Sequence, residues 1–361
     1  MGKPRFLLCL ELAPYPMFQT ILSAYNLNAD NCSIAPFGSG LINHTWKISC
    51  GNEQYILQRI NTTVFKSPQD IADNLVALQE YLRKTAPAYL FAAPVATTEN
   101  KHLVINDGHY YRLLPFVKNS HSIDVVAEPS QAYEAARQFG KFSRLLGDFD
   151  ASQLKYTLPD FHNLSLRDQQ FQLALKNADA ERLHIASAEI EAVKGYSAIT
   201  QTYNSLTGTI PLRAIHHDTK INNVLFDADD KGLCVIDLDT VMPGYYISDV
   251  GDMMRTYLSP ANEEEQDLDS VYVREDYLKA IHNGYMDEMG DVLNDAEKSL
   301  FYYSGKFMIY MQAMRFLADY LNNDIYYHTT YPGQNLKRTQ NQLRLLDELI
   351  KTYQRLGIDS K

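Results

Sequence analysis

Around Asp218 the chain reads Ile215-His216-His217-Asp218-Thr219-Lys220-Ile221-Asn222-Asn223, and fourteen residues after Asn223 comes Asp237, in Ile236-Asp237-Leu238-Asp239. The pattern is H-x-D-x-x-x-x-N followed by I-D. Phosphoryl transfer needs this set of groups: one carboxylate to receive the proton of an attacking hydroxyl, and oxygen ligands for the Mg²⁺ that bridges the nucleotide phosphates. Asp218 is the candidate general base. Asn223 and Asp237 are the candidate metal ligands, and Mg²⁺ is satisfied by one or two carboxylates plus phosphate oxygens and water. Asp239, two residues on along an expected strand, joins the metal or stands behind it. His216 is expected to brace the loop rather than react. Polar residues at hairpin ends would account for the motif by itself, but the order loop, strand, turn, strand, Asp supplies the context that chemistry requires.

The elements that must hold these residues fall into two groups. Helical spacing covers 12–30 and 68–84, the latter opened by Ser67-Pro68. Strands are expected over the second half of 34–48, then 54–60, 102–105 and 109–114, the last two joined by the hairpin turn Asn106-Asp107-Gly108. After Leu114-Pro115-Phe116-Val117-Lys118 helical periodicity takes over: 129–147, 165–180, 184–206, 270–289, 295–322 and 335–356. Two short strands, 224–226 and 233–236, flank the turn that separates Asn223 from Asp237. The expectation is an α+β chain: a small antiparallel-sheet lobe, 1–117, and a larger, mainly helical lobe, 118–361. A cleft between such lobes is a usual place for a small-molecule site.

Gly38-Ser39-Gly40 is a candidate phosphate-covering turn, because glycine lets backbone N–H groups approach phosphate closely. A plain hairpin turn is the alternative, and no Walker A loop is present. The second strand, 54–60, has no lysine to meet the phosphates. Gln58 occupies that place with Arg59 beside it, so either Gln58 donates a neutral hydrogen bond or Arg59 substitutes.

At 361 residues with a net charge of −11, the chain has room for two cores, and its acidity argues against a nucleic-acid partner. The apolar run Phe6–Leu10, broken by Glu11, is too short for a signal core or a membrane span. Cys9, Cys32, Cys50 and Cys234 show no metal spacing and read as reduced thiols in a cytoplasmic protein.

Three stretches carry a resemblance to a known family. They are Gly38 to Thr45, Ile215 to Asn223 with Ile236 to Gly244, and Met314 to Leu321 with Asp324-Ile325-Tyr326. The first two resemble the aminoglycoside phosphotransferase and choline kinase superfamily, whose fold is the bilobal protein-kinase-like one. The third is similar to its anomeric sugar kinases, the N-acetylhexosamine 1-kinase branch.

The resemblance implies an ATP- and Mg²⁺-dependent enzyme that phosphorylates the C1 hydroxyl of GlcNAc, GalNAc or a related hexose. It places ATP against Gly38, Ser39, Gly40 and Gln58, with adenine near Pro115, Phe116 and Val117. It places the sugar against Asp218, Asn43, Arg315, Asp319 and Tyr326, and gives Asp249 the task of bracing the catalytic loop. Spacing alone reads Arg315 and Asp319 as an i, i+4 ion pair, Asp249 as a helix cap, and Tyr326 as an ordinary tyrosine. Leu41 stands where this branch has a polar residue, which leaves the sugar open. Other hydroxyl acceptors (an aminoglycoside, choline, homoserine) and a nucleotide-binding pseudokinase are the competing readings. A monomer or weak homo-oligomer is expected, with no membrane and no nucleic acid.

Overall fold

The computed structural model describes residues 15–38, 42–206 and 208–359. The chain divides into two units, one running to Val76 and resuming from Ala92 to Lys118, the other comprising Ala77–Phe91 and Asn119–Lys361. The sequence places the boundary at 117/118; the structure adds 77–91 to the helical unit.

The first unit begins with helix α1 (Tyr15–Ser23), which ends well short of the expected residue 30. Asn26 turns left-handed, and Asn28 caps a short 3-10 turn at Ala29–Asn31, both habits of Asn that compete with a helix. Five strands follow: β1 (Cys32–Pro36), β2 (His44–Cys50), β3 (Glu53–Arg59), then, after helix α2 (Pro68–Thr85), β4 (Val104–Asn106) and β5 (His109–Pro115). They form one antiparallel sheet in the order β1-β2-β3-β5-β4. The β4–β5 turn has positive φ at Asp107 and Gly108, as the Asp-Gly pair predicts.

Strand alternation gives the sheet two faces. One buries Ile48, Leu57, Tyr111 and Leu113 against Phe18, Ile21, Leu22 and Tyr25, and is the core of this unit. The other carries Thr45, Lys47, Gln58 and Arg112.

The cysteine expectation fails here. Cys32 and Cys50 face one another across β1 and β2 with Cα atoms 4.3 Å apart, and are joined in a disulfide. Strand register makes the pair, and register is invisible in cysteine spacing. A disulfide also removes the support that reduced thiols gave to a cytoplasmic location.

The second unit holds α3 (Pro129–Leu145), α4 (Leu164–Asn177), α5 (Ala180–Ile185), α6 (Ser187–Gly195), α7 (Ala198–Leu206), β6 (Arg213–Ile215), β7 (Val224–Phe226), β8 (Gly232–Val235), β9 (Met242–Gly244), α8 (Ile247–Tyr257), α9 (Glu275–Met289), α10 (Asp295–Lys298), α11 (Phe301–Leu321) and α12 (Gln334–Leu356). The single helix expected over 184–206 is in fact the end of α5 followed by α6 and α7, broken at Ala186 and again after Gly195. Helix α11 is apolar nearly all round, as a helix at the centre of a core must be, and packs against α4, α8 and α12. Two glycines permit close packing: a Cβ at Gly251 would lie 2.4 Å from the Ser304 carbonyl of α11, and one at Gly284 would lie 2.2 Å from the Tyr133 carbonyl. No helix among the described residues is long and apolar enough to cross a membrane.

Candidate active site

The loop between β6 and β7 carries the motif. Its entry is fixed by pairing of β6 with β9, and its exit by pairing of β7 with β8. Between these anchors the backbone departs from regular structure, with His217 at φ 67°. Asp249, in the first turn of α8, clamps it: its two carboxylate oxygens accept the N–H of His216 at 3.0 Å and of His217 at 2.7 Å. One turn on, Asp252 accepts the N–H of Thr219 at 2.9 Å. The Thr219 hydroxyl donates to the Asp249 carbonyl at 2.7 Å, and Tyr257 donates to the Thr219 carbonyl at 2.5 Å. Burial raises the Asp249 carboxyl to about 6 against the pull of His216 and of the two N–H donors.

His216 braces the loop from inside. One ring nitrogen lies 2.9 Å from the Ile236 carbonyl and must donate to it; the other accepts the Asp218 N–H at 3.3 Å. Its ring edge meets Phe139 at 5.2 Å. His217 is buried against β9, where a Cβ on Gly244 would fall 2.5 Å from the ring; only glycine fits there. Burial, outweighing its contacts with the Pro243 and Met242 backbone, lowers His217 to about 3.

Asp218 leaves its side chain 24% exposed, enough for a reactant to reach it. Burial pushes its carboxyl up, but Lys220 at 3.2 Å, His216 and Asn223 together outweigh that and hold it below the usual range. It is an ionised acceptor at neutral pH. Asn223 donates its amide N–H to the Asp218 carbonyl at 2.9 Å and to the carboxylate at 3.1 Å. That orientation commits the amide nitrogen and turns the amide oxygen to acceptor work.

Asp237 is not on a strand. β8 stops at Val235, and Asp237 sits in the left-handed region at φ 56°, ψ 56°, ahead of a 3-10 turn over Leu238–Thr240. The expectation that Asp239 shares its side-chain direction by strand alternation is therefore corrected: Asp239 lies in that turn, buried, with its carbonyl accepting the Thr157 hydroxyl at 2.7 Å. A non-glycine residue held left-handed is a strain that functional sites tolerate. Asn223, Asp237 and Asp239 offer only hard oxygen donors, which fits Mg²⁺ and not a soft metal. Among the described residues no group of three or more His, Cys, Asp or Glu side chains is placed to hold a metal ion.

In the first unit, Gly38 has φ +80°, while Ser39, Gly40 and Leu41 lie outside the described residues. The two candidates for the missing lysine, Gln58 and Arg59, stand on opposite faces of β3. Gln58 faces Arg112 across the β3–β5 register, and its amide oxygen accepts two N–H bonds from that guanidinium at 2.9 and 2.7 Å. Its amide nitrogen is left toward Thr45, 3.4 Å away. Arg59, on the other face, interacts with Tyr111. The buried cation on the Gln58 face is thus Arg112, which no motif flagged; only register reveals it. Phe116 is covered by the Lys47 ammonium at 3.8 Å and meets Phe37 edge to face, and Pro115 ends β5 just before it. Val117 follows. The Asn43 amide oxygen accepts the Asn61 N–H at 3.0 Å.

The i, i+4 ion pair between Arg315 and Asp319 does not form. Asp319, buried, accepts the N–H groups of Tyr326 and Tyr327 and the Asn335 amide, each at 2.9 Å. It shapes the loop that presents Tyr326, which is 73% exposed. Arg315 donates to Gln312 at 3.2 Å and lies over the rings of Phe161 and Tyr327 at 5.8 and 5.5 Å. Phe161, His162, Arg167 and Arg255 gather here too, and sequence reading passed over all four because they come from separate elements.

Comparison with known proteins places the family and the fold. Residues 33–279 match the phosphotransferase enzyme family. An aminoglycoside phosphotransferase from Alicyclobacillus acidocaldarius is similar in fold, with TM-score 0.63 at 13% identity over 93% of this chain and 96% of that one. A microcompartment-associated aminopropanol kinase gives 0.60 at 15% over 96% and 99%. Spectinomycin phosphotransferase in complex with ADP and its antibiotic gives 0.57 at 13% over 94% and 97%. The likeness to all three is one of fold.

Proposed function

The chain belongs to the phosphotransferase enzyme family, and on that premise we propose that it transfers the γ-phosphoryl group of ATP to the C1 hydroxyl of a hexose, with N-acetylglucosamine, N-acetylgalactosamine or a close relative as acceptor. The products are the sugar 1-phosphate and ADP. The observation that carries the reading is Asp218: an ionised, reachable carboxylate, bonded to Asn223 at 3.1 Å, on a loop clamped by Asp249.

The C1 oxygen attacks the γ-phosphorus as the bond from that phosphorus to the β-bridging oxygen breaks. The hydroxyl proton passes to Asp218. A carboxylate held below its usual pKa is a weak base, so the proton moves late, when the attacking oxygen has become acidic. Mg²⁺, when bound, neutralises charge on the transferring phosphoryl group, and Asn223 and Asp237 would hold it, with Asp239 beside them. In the sheet unit the glycine turn, the Gln58 amide nitrogen and the 115–117 segment serve the nucleotide. Catalysis comes from positioning and charge, since no protein nucleophile is called for.

The sugar assignment rests on the 314–326 stretch. Asp319 holds the loop that offers Tyr326, and the guanidinium of Arg315 is spent on one neutral amide and two rings, which leaves it donors for sugar oxygens. Asn43 is the sheet unit's candidate contact. The requirement for ATP favours a cytoplasmic enzyme.

The test is ADP release with ATP and Mg²⁺ across GlcNAc, GalNAc, glucose, galactose, mannose and N-acetylmuramic acid, with choline, homoserine and kanamycin beside them. A sugar-dependent signal is expected. Turnover confined to the last three would keep the family and the base but defeat the sugar assignment; ATP binding without transfer to any acceptor would favour a pseudokinase.

A further inference from the structure

Next to the catalytic loop, the helical unit gathers three guanidiniums beside one half-buried imidazole. Arg167 of α4, Arg255 of α8 and Arg315 of α11 all act on His162, whose ring is pushed far below its ordinary value by burial first, then by His217 and by these three charges. Nδ1 of His162 lies 3.4 Å from Nδ1 of His217, the residue before Asp218. Arg255 acts on Asp218 as well as on His162, so the cluster and the base share one local field.

The three cations differ in how they are balanced. Arg255 is ion-paired to Asp252 at 2.9 Å and to Glu263 at 3.1 Å. Arg315 has only the Gln312 amide and the rings of Phe161 and Tyr327. Arg167 donates to the Gln170 amide at 2.9 Å and to the carbonyls of Asp160 and Phe161 at 2.8 and 3.3 Å, while its Nε is buried without a partner. Asp160, whose charge acts on Arg167, spends one carboxylate oxygen on Asn163 at 2.8 Å. Among the described residues neither Arg167 nor Arg315 has a carboxylate ion pair. Arg167 meets the Phe161 carbonyl at 3.3 Å and Arg315 lies 5.8 Å from the Phe161 ring, so the two like charges flank one residue, and burial and then the charge of Arg315 lower the Arg167 guanidinium from its usual value.

Two guanidiniums half-buried together without a counter-charge are unfavourable by themselves. Such a pair is relieved by oxygen lone pairs, as of a hydroxyl, an acyl carbonyl or a carboxylate, and made worse by an ammonium. The net charge of −11 would draw cations toward the surface, whereas Arg167 and Arg315 present positive charge that no carboxylate in an ion pair balances.

We propose that Arg167, acting with Arg315, is a specificity device of the acceptor site: it admits acceptors that present oxygen lone pairs, such as an N-acyl carbonyl or a carboxylate, and rejects those that carry an ammonium group. The substrate class follows. N-acylated and acidic hexoses are taken, and free amino sugars and quaternary or primary amines are refused. The inference rests on the hexose reading above for its choice of probe, and on the arginine cluster for its sign.

The experiment compares kcat/KM for N-acetylglucosamine and for glucosamine at pH values on either side of the glucosamine ammonium's own pKa. The groups facing the cluster are Asp160, His162, His217, Gln312, Asp319, Tyr326 and Tyr327, together with Arg255 and its partners Asp252 and Glu263. The two histidines are held neutral well below this range and the arginines stay charged, so the amine is the titrating group that the comparison reads.

We expect N-acetylglucosamine to exceed glucosamine at least tenfold below that pKa, with the ratio shrinking as the amine loses its proton. Arg167→Gln should shrink the low-pH ratio, and Arg167→Lys should keep it. Glucosamine used as well as N-acetylglucosamine while charged, or a ratio that does not move with pH in the unmutated chain, overturns the inference. If no hexose reacts, the hexose reading falls alone, and the control alcohols decide the inference. Turnover of choline or kanamycin then overturns it, and turnover of glycerol or glycerate, assayed beside them and free of ammonium, with choline and kanamycin refused, upholds it.

Discussion

At Asp218 burial and charge environment work against each other and leave the carboxylate ionised. Lys220 and Asn223 hold the carboxylate, and the backbone bonds to Asp249 and Asp252 fix its position. Asp218→Asn keeps shape and the Asn223 contact but cannot accept a proton. Its kcat should fall by about 10²–10⁴, the usual contribution of a positioned base, with ATP affinity within about twofold of the parent. Single-turnover kinetics with a nucleotide-binding titration would show this, and near-normal turnover would remove Asp218 from its role.

His217 gives a second test at this scale. Its folded pKa, about 3, lies below the ordinary 6.5. The fold therefore favours the neutral ring, a contribution present above pH 6.5 and lost as pH falls toward 3. Asp249 has the reverse sign: raised to about 6 from 3.8, it is relieved by protonation as pH falls below 6. The two offset each other in the parent chain. His217→Asn, tolerated at positive φ, removes one side. Its unfolding free energy should change between pH 7 and pH 5 by about 2 kcal/mol less in the destabilising direction than the parent's. Urea titrations at both pH values would measure it, and parallel pH profiles would contradict the burial argument.

At the scale of elements, the site depends on how closely α8 approaches α11. Asp249 and Asp252 project from α8, so a shift of that helix moves the catalytic loop. Gly251→Ala places a methyl 2.4 Å from the Ser304 carbonyl and 2.8 Å from the Met308 Cβ, neither a flexible tip. We expect a stability loss of about 1–3 kcal/mol and a drop in kcat larger than any change in KM for the nucleotide. Thermal unfolding with steady-state kinetics tests both, and an unchanged kcat in a destabilised variant would show that the loop does not follow the helix. The disulfide between β1 and β2 closes a sequence separation of 18 residues. Replacing Cys50 by Ser should lower stability by roughly 3 kcal/mol on loop-entropy grounds, read from denaturation of the oxidised parent and the variant side by side.

For the molecule as a whole, local signals were readable and register was not. The hairpin at Asp107-Gly108, the Pro68 helix start and the loop-strand-turn-strand order around Asp218 came straight from residue types, because each depends on neighbours in sequence. Apolar periodicity likewise located α3, α4 and α12. Periodicity overran at α1, where Asn26 and Asn28 stop the helix, and across 184–206, where Gly195 does. What sequence could not give depends on which distant residues face each other. Cys32 meets Cys50, and Arg112 meets Gln58, through strand register. Arg167 meets Arg315 through the packing of α4 on α11. Asp319 looked like half of an ion pair until the fold turned it onto the backbone of Tyr326 and Tyr327. The acceptor side of the site was thus the least legible part.

The central claim is transfer to an anomeric oxygen. The most direct measurement is phosphorus–proton correlation NMR on the product formed from ATP, Mg²⁺ and N-acetylglucosamine. The account predicts a new phosphorus resonance coupled to the anomeric proton, absent with Asp218→Asn. Phosphorus coupled to the C6 protons instead, or no phosphosugar while the enzyme phosphorylates another alcohol, would contradict it.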